Sequence, residues 1–255
     1  MKRRLVACWR LLAITLHVLH GVWITLVHFG PLDRPARQAR VQWWAARLLR
    51  AAGVTLEGVG TPRPGGVLLV INHISWLDIV AVHALCPQAR FVSKADVKHW
   101  PVLSRLVDAA DTLYLERERR RDAMRVVHHM GEALAAGDTV AVFPEGTTGE
   151  GHELLPFHAN LLQAAIATAT PVQPVALRFS DDLHAVSPAV AYVGDTTLLQ
   201  SLWWVVGAQG LRVRVQFLDA QGSAHAERRS LAAHLRAQIA EALAPDAPSD
   251  GQPAG

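Results

Sequence analysis

Five consecutive residues, Val67-Leu68-Leu69-Val70-Ile71, are all aliphatic, and three of them are β-branched. A strand with one wet face alternates apolar and polar residues. An unbroken apolar run this short marks a strand covered on both faces, which requires helices above and below the sheet. The chain supplies the alternation that such a sheet needs. Further strands are predicted at 53–57, 90–93, 112–115, 138–143, 172–179 and 211–218. Helices are predicted at 76–85, 102–109, 119–136, 161–169 and 224–243. Strands interleaved with helices predict an α/β fold, a mostly parallel sheet flanked by helices.

The α/β domain is expected to span residues 51–243. Residues 244–255 follow as a tail of small, polar and Pro/Gly residues, expected to be disordered. Residues 1–50 have a different character. The stretch LVACWRLLAITLHVLHGVWITLVHF, residues 5–29, has the length of a membrane span of roughly 20 residues. Arg10, His17, His20 and His28 interrupt it, and Arg10 lies near enough to one end to snorkel. The run is long for a signal peptide and no small-x-small cleavage site follows at once, which favours a retained helix. After the Gly30-Pro31 break, residues 35–50 interleave Arg37, Arg40, Arg47 and Arg50 with Val41, Trp43, Trp44, Leu48 and Leu49. That pattern suits a basic helix lying in a membrane interface, or a surface helix packed on the domain. An N-terminal membrane-associated helical element is therefore expected.

Charge supports the same partner. Residues 1–63 hold ten Lys and Arg against two Asp and Glu, whereas the remainder holds fifteen against twenty. The positive charge flanks an apolar stretch rather than decorating a recognition element, which fits an anionic membrane surface and not nucleic acid. Basic residues on both sides of residues 5–29 leave the orientation unassigned, and both ends on the cytoplasmic side, with a re-entrant hairpin or a shallow embedding, fit that symmetry. Cys8 and Cys86 are isolated, so neither a disulfide framework nor a metal site is expected.

The chemistry-bearing residues follow the strands. Asn72-His73-Ile74-Ser75-Trp76-Leu77-Asp78 begins where the buried apolar run ends, and the carboxyl ends of strands are where α/β sheets place their sites. His73 is a candidate general base, because an imidazole exchanges protons near neutral pH. Asp78 is placed to hold the other ring nitrogen and fix the tautomer. A five-residue spacing does not put two side chains on one face of a regular helix, so a loop or helix start must lie between them. Phe143-Pro144-Glu145-Gly146-Thr147-Thr148 forms a second turn after a strand, with Glu145 an acceptor and Thr147 and Thr148 donors toward a ligand. Arg117 ends the strand at 112–115, ahead of Arg119, Arg120 and Arg121. A guanidinium fork matches phosphate oxygens. No Gly-x-Ser-x-Gly elbow is present, which argues against a serine hydrolase. His128 and His129 fall inside a predicted helix and read as structural.

Together these segments resemble the glycerolipid acyltransferase family, that of 1-acyl-glycerol-3-phosphate acyltransferase. The resemblance rests on Asn72-His73 through Asp78, on Thr112-Leu113-Tyr114-Leu115-Glu116-Arg117, on Phe143-Pro144-Glu145-Gly146-Thr147, and on Pro171-Val172-Gln173-Pro174-Val175, in family order. It implies acyl transfer to the free hydroxyl of 1-acyl-glycerol-3-phosphate, with acyl-CoA or acyl carrier protein as donor and a lysophospholipid as acceptor. It implies a catalytic His73–Asp78 dyad, and substrate binding by Asn72, Arg117, Glu145, Gly146 and Thr147, with no cofactor and no metal. It places the chain at a membrane, on the cytoplasmic face of a bacterial inner membrane. Asp111 stands where the family carries Gly, and His158 in Phe157-His158-Ala159-Asn160 where Lys is frequent. These departures leave the acceptor open to another lysolipid, such as lyso-ornithine lipid. A non-catalytic membrane-binding protein of the same fold is the other alternative.

Overall fold

The computed structural model describes residues 2–94, 103–115 and 120–244. Arg117, Glu116 and Arg119 lie outside the described residues, as does the expected tail from residue 245 onward.

Among the described residues seven strands form one sheet in the order β1-β7-β6-β2-β5-β3-β4. They are β1 Thr55–Val59, β2 Val67–Ile71, β3 Arg90–Lys94, β4 Leu113–Leu115, β5 Thr139–Val142, β6 Val172–Ser180 and β7 Arg212–Phe217. Strands β6, β2, β5, β3 and β4 run parallel; β7 pairs antiparallel with β6, and β1 pairs parallel with β7. The sheet is thus mixed and mostly parallel, as its residue pattern predicts. All five residues of β2 are wholly inaccessible to solvent, at about 1.5–3 kcal/mol of transfer free energy per large side chain. Strand β5 is buried throughout as well and lies beside β2, with Leu68 opposite Val140. That adjacency brings the segments after β2 and after β5 to one end of the sheet, side by side.

Among the described residues eight α-helices surround the sheet: α1 Lys2–Val27, α2 Arg34–Ala52, α3 Leu77–Leu85, α4 Leu103–Ala109, α5 Arg120–Ala135, α6 Gln163–Ala167, α7 Leu198–Gly207 and α8 Arg228–Leu243. The apolar side chains between sheet and helices divide into two clusters. One gathers α2, α3 and α7 with parts of α1; the other gathers α5, α6 and α8. Helix α5 buries Val126, Met130, Ala133 and Leu134, at steps of three and four. His128 on its outer side pairs with Glu132 in solvent, a surface role.

Two expectations need correction. The stretch predicted as one helix at 161–169 begins as a 3-10 turn, Ala159–Leu162, and continues only as the short α6. Helix α7 was not predicted at all. It begins with a capping box, in which the Thr197 hydroxyl accepts from the Gln200 N–H and the Gln200 side chain accepts from the Thr197 N–H. The Thr-x-x-Gln spacing ahead of Trp203-Trp204-Val205-Val206 carries that signal in the sequence.

Helix α1 lies on the domain along its length. It buries Ala7, Ile14, Gly21 and Ile24 on one side. Gly21 is required there, because a Cβ would come within 2.2 Å of the Trp44 ring nitrogen on α2. The Trp44 indole N–H donates to the His17 carbonyl at 3.2 Å, and the His17 ring nitrogen Nε2 lies 2.9 Å from the Trp44 carbonyl. Arg10 does not snorkel. Its guanidinium donates to the carbonyls of Val206 and Ala208 at 3.0 and 2.9 Å, a cation capping the C-terminus of α7. Helix α2 turns Ala45, Leu48, Leu49 and Ala52 inward against the domain, so its apolar residues serve packing rather than an interface. Its start is clamped by Asp138, whose carboxylate holds Arg34 at 2.5 Å and Arg90 at 2.6 Å.

Beside the exposed Lys2, Arg3, Arg4, Thr15 and His20, α1 leaves a row of apolar side chains outward. Leu5, Trp9, Leu12, Leu16, Leu19, Trp23 and Leu26 are all at least half exposed. Their spacing of three and four makes one continuous stripe about 32 Å long at the helical rise. The stripe predicts attachment without predicting a free-standing span, since the opposite side of the same helix is packed on protein. Deleting residues 1–50 would uncover core side chains, so charges on the stripe make the cleaner test. Leu12→Glu combined with Leu16→Glu should shift the protein from the membrane pellet to the supernatant while its thermal midpoint stays unchanged. A double variant that pellets like the parent would contradict this role.

Candidate active site

Chain direction reverses around His73. Strand β2 ends at Ile71, five residues form a loop, and α3 starts at Leu77 with Asp78 in its first turn. That helix start is what lets a side chain five residues away return. The Asp78 carboxylate oxygen Oδ2 lies 2.7 Å from His73 Nδ1. The same oxygen accepts from the main-chain N–H of Ile74 at 2.7 Å and of Ser75 at 2.9 Å. Asp78 is completely buried, whereas the His73 side chain keeps 19% of its surface accessible. A carboxylate can only accept, so Nδ1 carries the proton and Nε2 presents its lone pair at the accessible edge. The imidazole lies flat on the Phe143 ring, with centroids 3.8 Å apart and planes 10° from parallel. Position, tautomer and ring plane are therefore all set by neighbours.

Asn72 and Glu145 flank this pair from within. The Asn72 carboxamide donates to the Leu177 carbonyl at 2.9 Å and accepts from the Leu177 N–H at 2.8 Å, both on β6. It is buried and ties the end of β2 to the neighbouring strand. Glu145 is buried too. One carboxylate oxygen accepts from the His73 N–H at 2.7 Å, and the other from the Leu155 N–H at 2.8 Å. Burial pushes its carboxyl above the ordinary glutamate range, and the two main-chain donors offset that only in part. Arg236 on α8 supports the arrangement from behind, donating to the carbonyls of Leu154 and Leu155.

The turn after β5 then folds back onto the dyad. Gly146 has φ +70, a left-handed conformation that a side chain would strain, and a Cβ there would press on the His158 ring at 3.0 Å. The Gly149 N–H donates to the His73 carbonyl at 2.8 Å. Thr147 is exposed beside it. The Thr148 hydroxyl donates to the Tyr192 carbonyl, so it serves the loop instead of standing free for a ligand. The structure thus brings His73, Asp78, Asn72, Glu145, Gly146 and Thr147 into one neighbourhood, while Arg117 lies outside the described residues.

Sequence reasoning missed an apolar cavity lined in part by α3, the helix that carries Asp78. It encloses about 420 Å³ between the sheet and helices α1 to α4 and α7, within the range of small-molecule sites. Ile14, Val18, Trp44, Leu48, Leu106 and Leu202 are among its walls, so residues from 14 to 202 meet there. Trp76, Ile79, Val80 and His83 form its α3 wall, a stripe of one helix face that starts two residues before Asp78. The Trp76 indole N–H is fixed on the Ser201 hydroxyl at 3.0 Å. Among the described residues no cluster of three or more His, Cys, Asp and Glu could hold a metal ion.

The chain is similar to known proteins. The family described as Acyltransferase matches residues 53–178. The 1-acyl-sn-glycerol-3-phosphate acyltransferase of Neisseria meningitidis is 37% identical over 78% of this chain and 79% of its own length. The lyso-ornithine lipid O-acyltransferase of Pseudomonas aeruginosa is 34% identical over 82% of this chain and 80% of its own. The crystal structure of the 1-acyl-sn-glycerophosphate acyltransferase of Thermotoga maritima superposes with a TM-score of 0.72. It covers 96% of this chain and 98% of the other at 19% identity, which speaks to the fold. With a buried carboxylate orienting an accessible imidazole on this fold, and relatives of that similarity spanning most of its length, the chain belongs to the acyltransferase family that acylates lysolipids.

Proposed function

We propose that the chain moves a fatty acyl group from a thioester, acyl-CoA or acyl carrier protein, to the free hydroxyl of 1-acyl-glycerol-3-phosphate, giving phosphatidate. The observation that carries this reading is the His73–Asp78 contact of 2.7 Å, with Asp78 fully buried and His73 open on one edge. Nε2 removes the proton of the acceptor hydroxyl as that oxygen attacks the thioester carbonyl. Collapse of the tetrahedral intermediate expels the thiolate, which takes up the proton from the imidazolium. Asp78 holds the tautomer and stabilises the charged ring between the two steps. No acyl-enzyme is needed.

The apolar cavity lodges an acyl chain, and α1 sits in one leaflet with its outward stripe among the lipid chains. Lys2, Arg3 and Arg4 face the anionic headgroups of the cytoplasmic side of a bacterial inner membrane. Arg117 contacts the acceptor phosphate, and Gly146 and Thr147 line the headgroup side. Asn72 and Glu145 take a different role from the substrate contact expected of them. Their polar atoms face main-chain groups, so they hold His73 in place and meet the ligand only through it. Glu145→Gln tests this. An amide keeps one acceptor but turns an N–H₂ toward a main-chain N–H. Stability should fall by about 1–3 kcal/mol for the unsatisfied pair, and kcat should fall more than the acceptor KM rises. An effect confined to acceptor KM would return Glu145 to the substrate.

A lyso-ornithine lipid acceptor is the second reading, favoured by the Pseudomonas aeruginosa relative of that name at 34% identity. Product analysis with purified protein separates the two. With lysophosphatidate and lyso-ornithine lipid offered at equal concentration, phosphatidate should dominate, and Arg117→Ala should raise the apparent KM for lysophosphatidate alone. Dominant ornithine lipid would make the second reading correct, and no transfer to either would remove both.

A further inference from the structure

Among the described residues, one buried side chain on the cavity wall has a ring nitrogen with no hydrogen bond. His83 sits on α3 in the stripe Trp76, Ile79, Val80 and His83 that faces the apolar cavity. It is 6% exposed, and its Nδ1 is buried with no hydrogen bond. The ring packs edge-on against Phe91 at 5.1 Å, with planes 70° apart, and Phe91 continues through Phe143 to His73. Burial pulls the imidazole down to about 4, so the ring in the wall is neutral at physiological pH. A neutral imidazole offers one donor and one acceptor. Leaving such a group unpaired in an apolar wall costs about 1–3 kcal/mol, and a leucine or phenylalanine would fill the same place without that cost.

We propose that His83 is a specificity-determining residue that hydrogen-bonds a hydroxyl carried on the acyl chain in this cavity, so that the site selects hydroxylated chains over plain ones. A pocket built to bond a substrate hydroxyl discriminates strongly against the analogue that lacks it, because the wall group is then left unpaired. The helical rise puts His83 about 7.5 Å beyond Asp78 along α3. A chain running down the stripe from the dyad therefore meets the imidazole several bonds below its carbonyl, and the hydroxyl belongs to the middle of the chain. The rest of this wall stripe is Trp76, Ile79 and Val80, with Trp76 turned to Ser201, so the stripe holds a single unengaged polar contact.

The inference rests on the acyl-transfer reading and is tested separately from it. Purified protein is given a series of acyl-CoA donors with one hydroxyl moved along the chain, beside the plain chain, with a plain acceptor. A second arm gives a plain donor with the same hydroxylated series on the acceptor. The parent should show a maximum in kcat/KM at one mid-chain position, on the order of tenfold over the plain chain. The arm in which it appears identifies which substrate's chain fills the cavity. His83→Phe should bring the ratio of hydroxylated to plain chain near one, and His83→Gln should keep part of it. Using that ratio cancels any general loss of rate in the variants. A flat series in both arms of the parent, or a maximum that survives in His83→Phe, would overturn the role of His83 while leaving acyl transfer intact. Failure to transfer even the plain chain would instead overturn the reading beneath it.

Discussion

Burying a carboxylate is costly unless hydrogen-bond donors offset the lost water. Asp78 is fully buried; its Oδ2 gathers the His73 ring and the main-chain N–H groups of Ile74 and Ser75, while its Oδ1 has no hydrogen-bond partner among the described residues. This convergence does two things at once. It closes the loop between β2 and α3 into one shape, and it fixes which imidazole nitrogen keeps the proton. Glu145 repeats the device from the neighbouring strand, spending its carboxylate on the N–H of His73 and of Leu155. His73 is thus held through its ring by one buried acid and through its backbone by another. Preorganisation of this kind supplies orientation before the substrate arrives.

The same loop ties chemistry to lipid. Trp76 and the α3 stripe behind it begin beside Asp78 and become one wall of the apolar cavity, while α1 and α2 supply others. The N-terminal helices therefore complete this cavity as well as providing an outward apolar stripe. Arg10 shows how closely the two roles are joined. A cation within an apolar helix would be costly against lipid, and here it faces inward to satisfy the open carbonyls at the end of α7. Gly21 serves the same packing by admitting Trp44.

Much of the fold was legible because burial on both faces writes itself as unbroken apolar runs. Strand β2 was read at its observed limits, and most other strands and helices within a few residues. The antiparallel β7 was read as a strand, but its direction depends on connection geometry that local pattern does not hold. Helix α7 was missed because its capping box sits in a stretch without strong periodicity. The dyad could be located by its place after a strand together with the ordered family motifs. The inward roles of Asn72 and Glu145 could not, since side-chain amides and carboxylates look alike in sequence whether they meet a ligand or a main-chain N–H. The cavity could not be read either, because its walls come from segments as distant as Ile14 and Leu202.

Single-turnover acyl transfer by folded His73→Ala, with thermal melting as the control, tests the central claim most directly. Among the described residues the His73 ring bonds only Asp78 and stacks on Phe143, so the alanine variant should fold and bind membranes with a lowered melting temperature, because a buried carboxylate loses a donor, while transfer is abolished. Asp78→Asn should also lose activity, on the order of 10⁴-fold if the wrong tautomer weighs here as it does in the serine-protease triad. A folded His73→Ala protein that transfers acyl chains at the parent rate would contradict the account, and the acyltransferase fold would then carry some other chemistry.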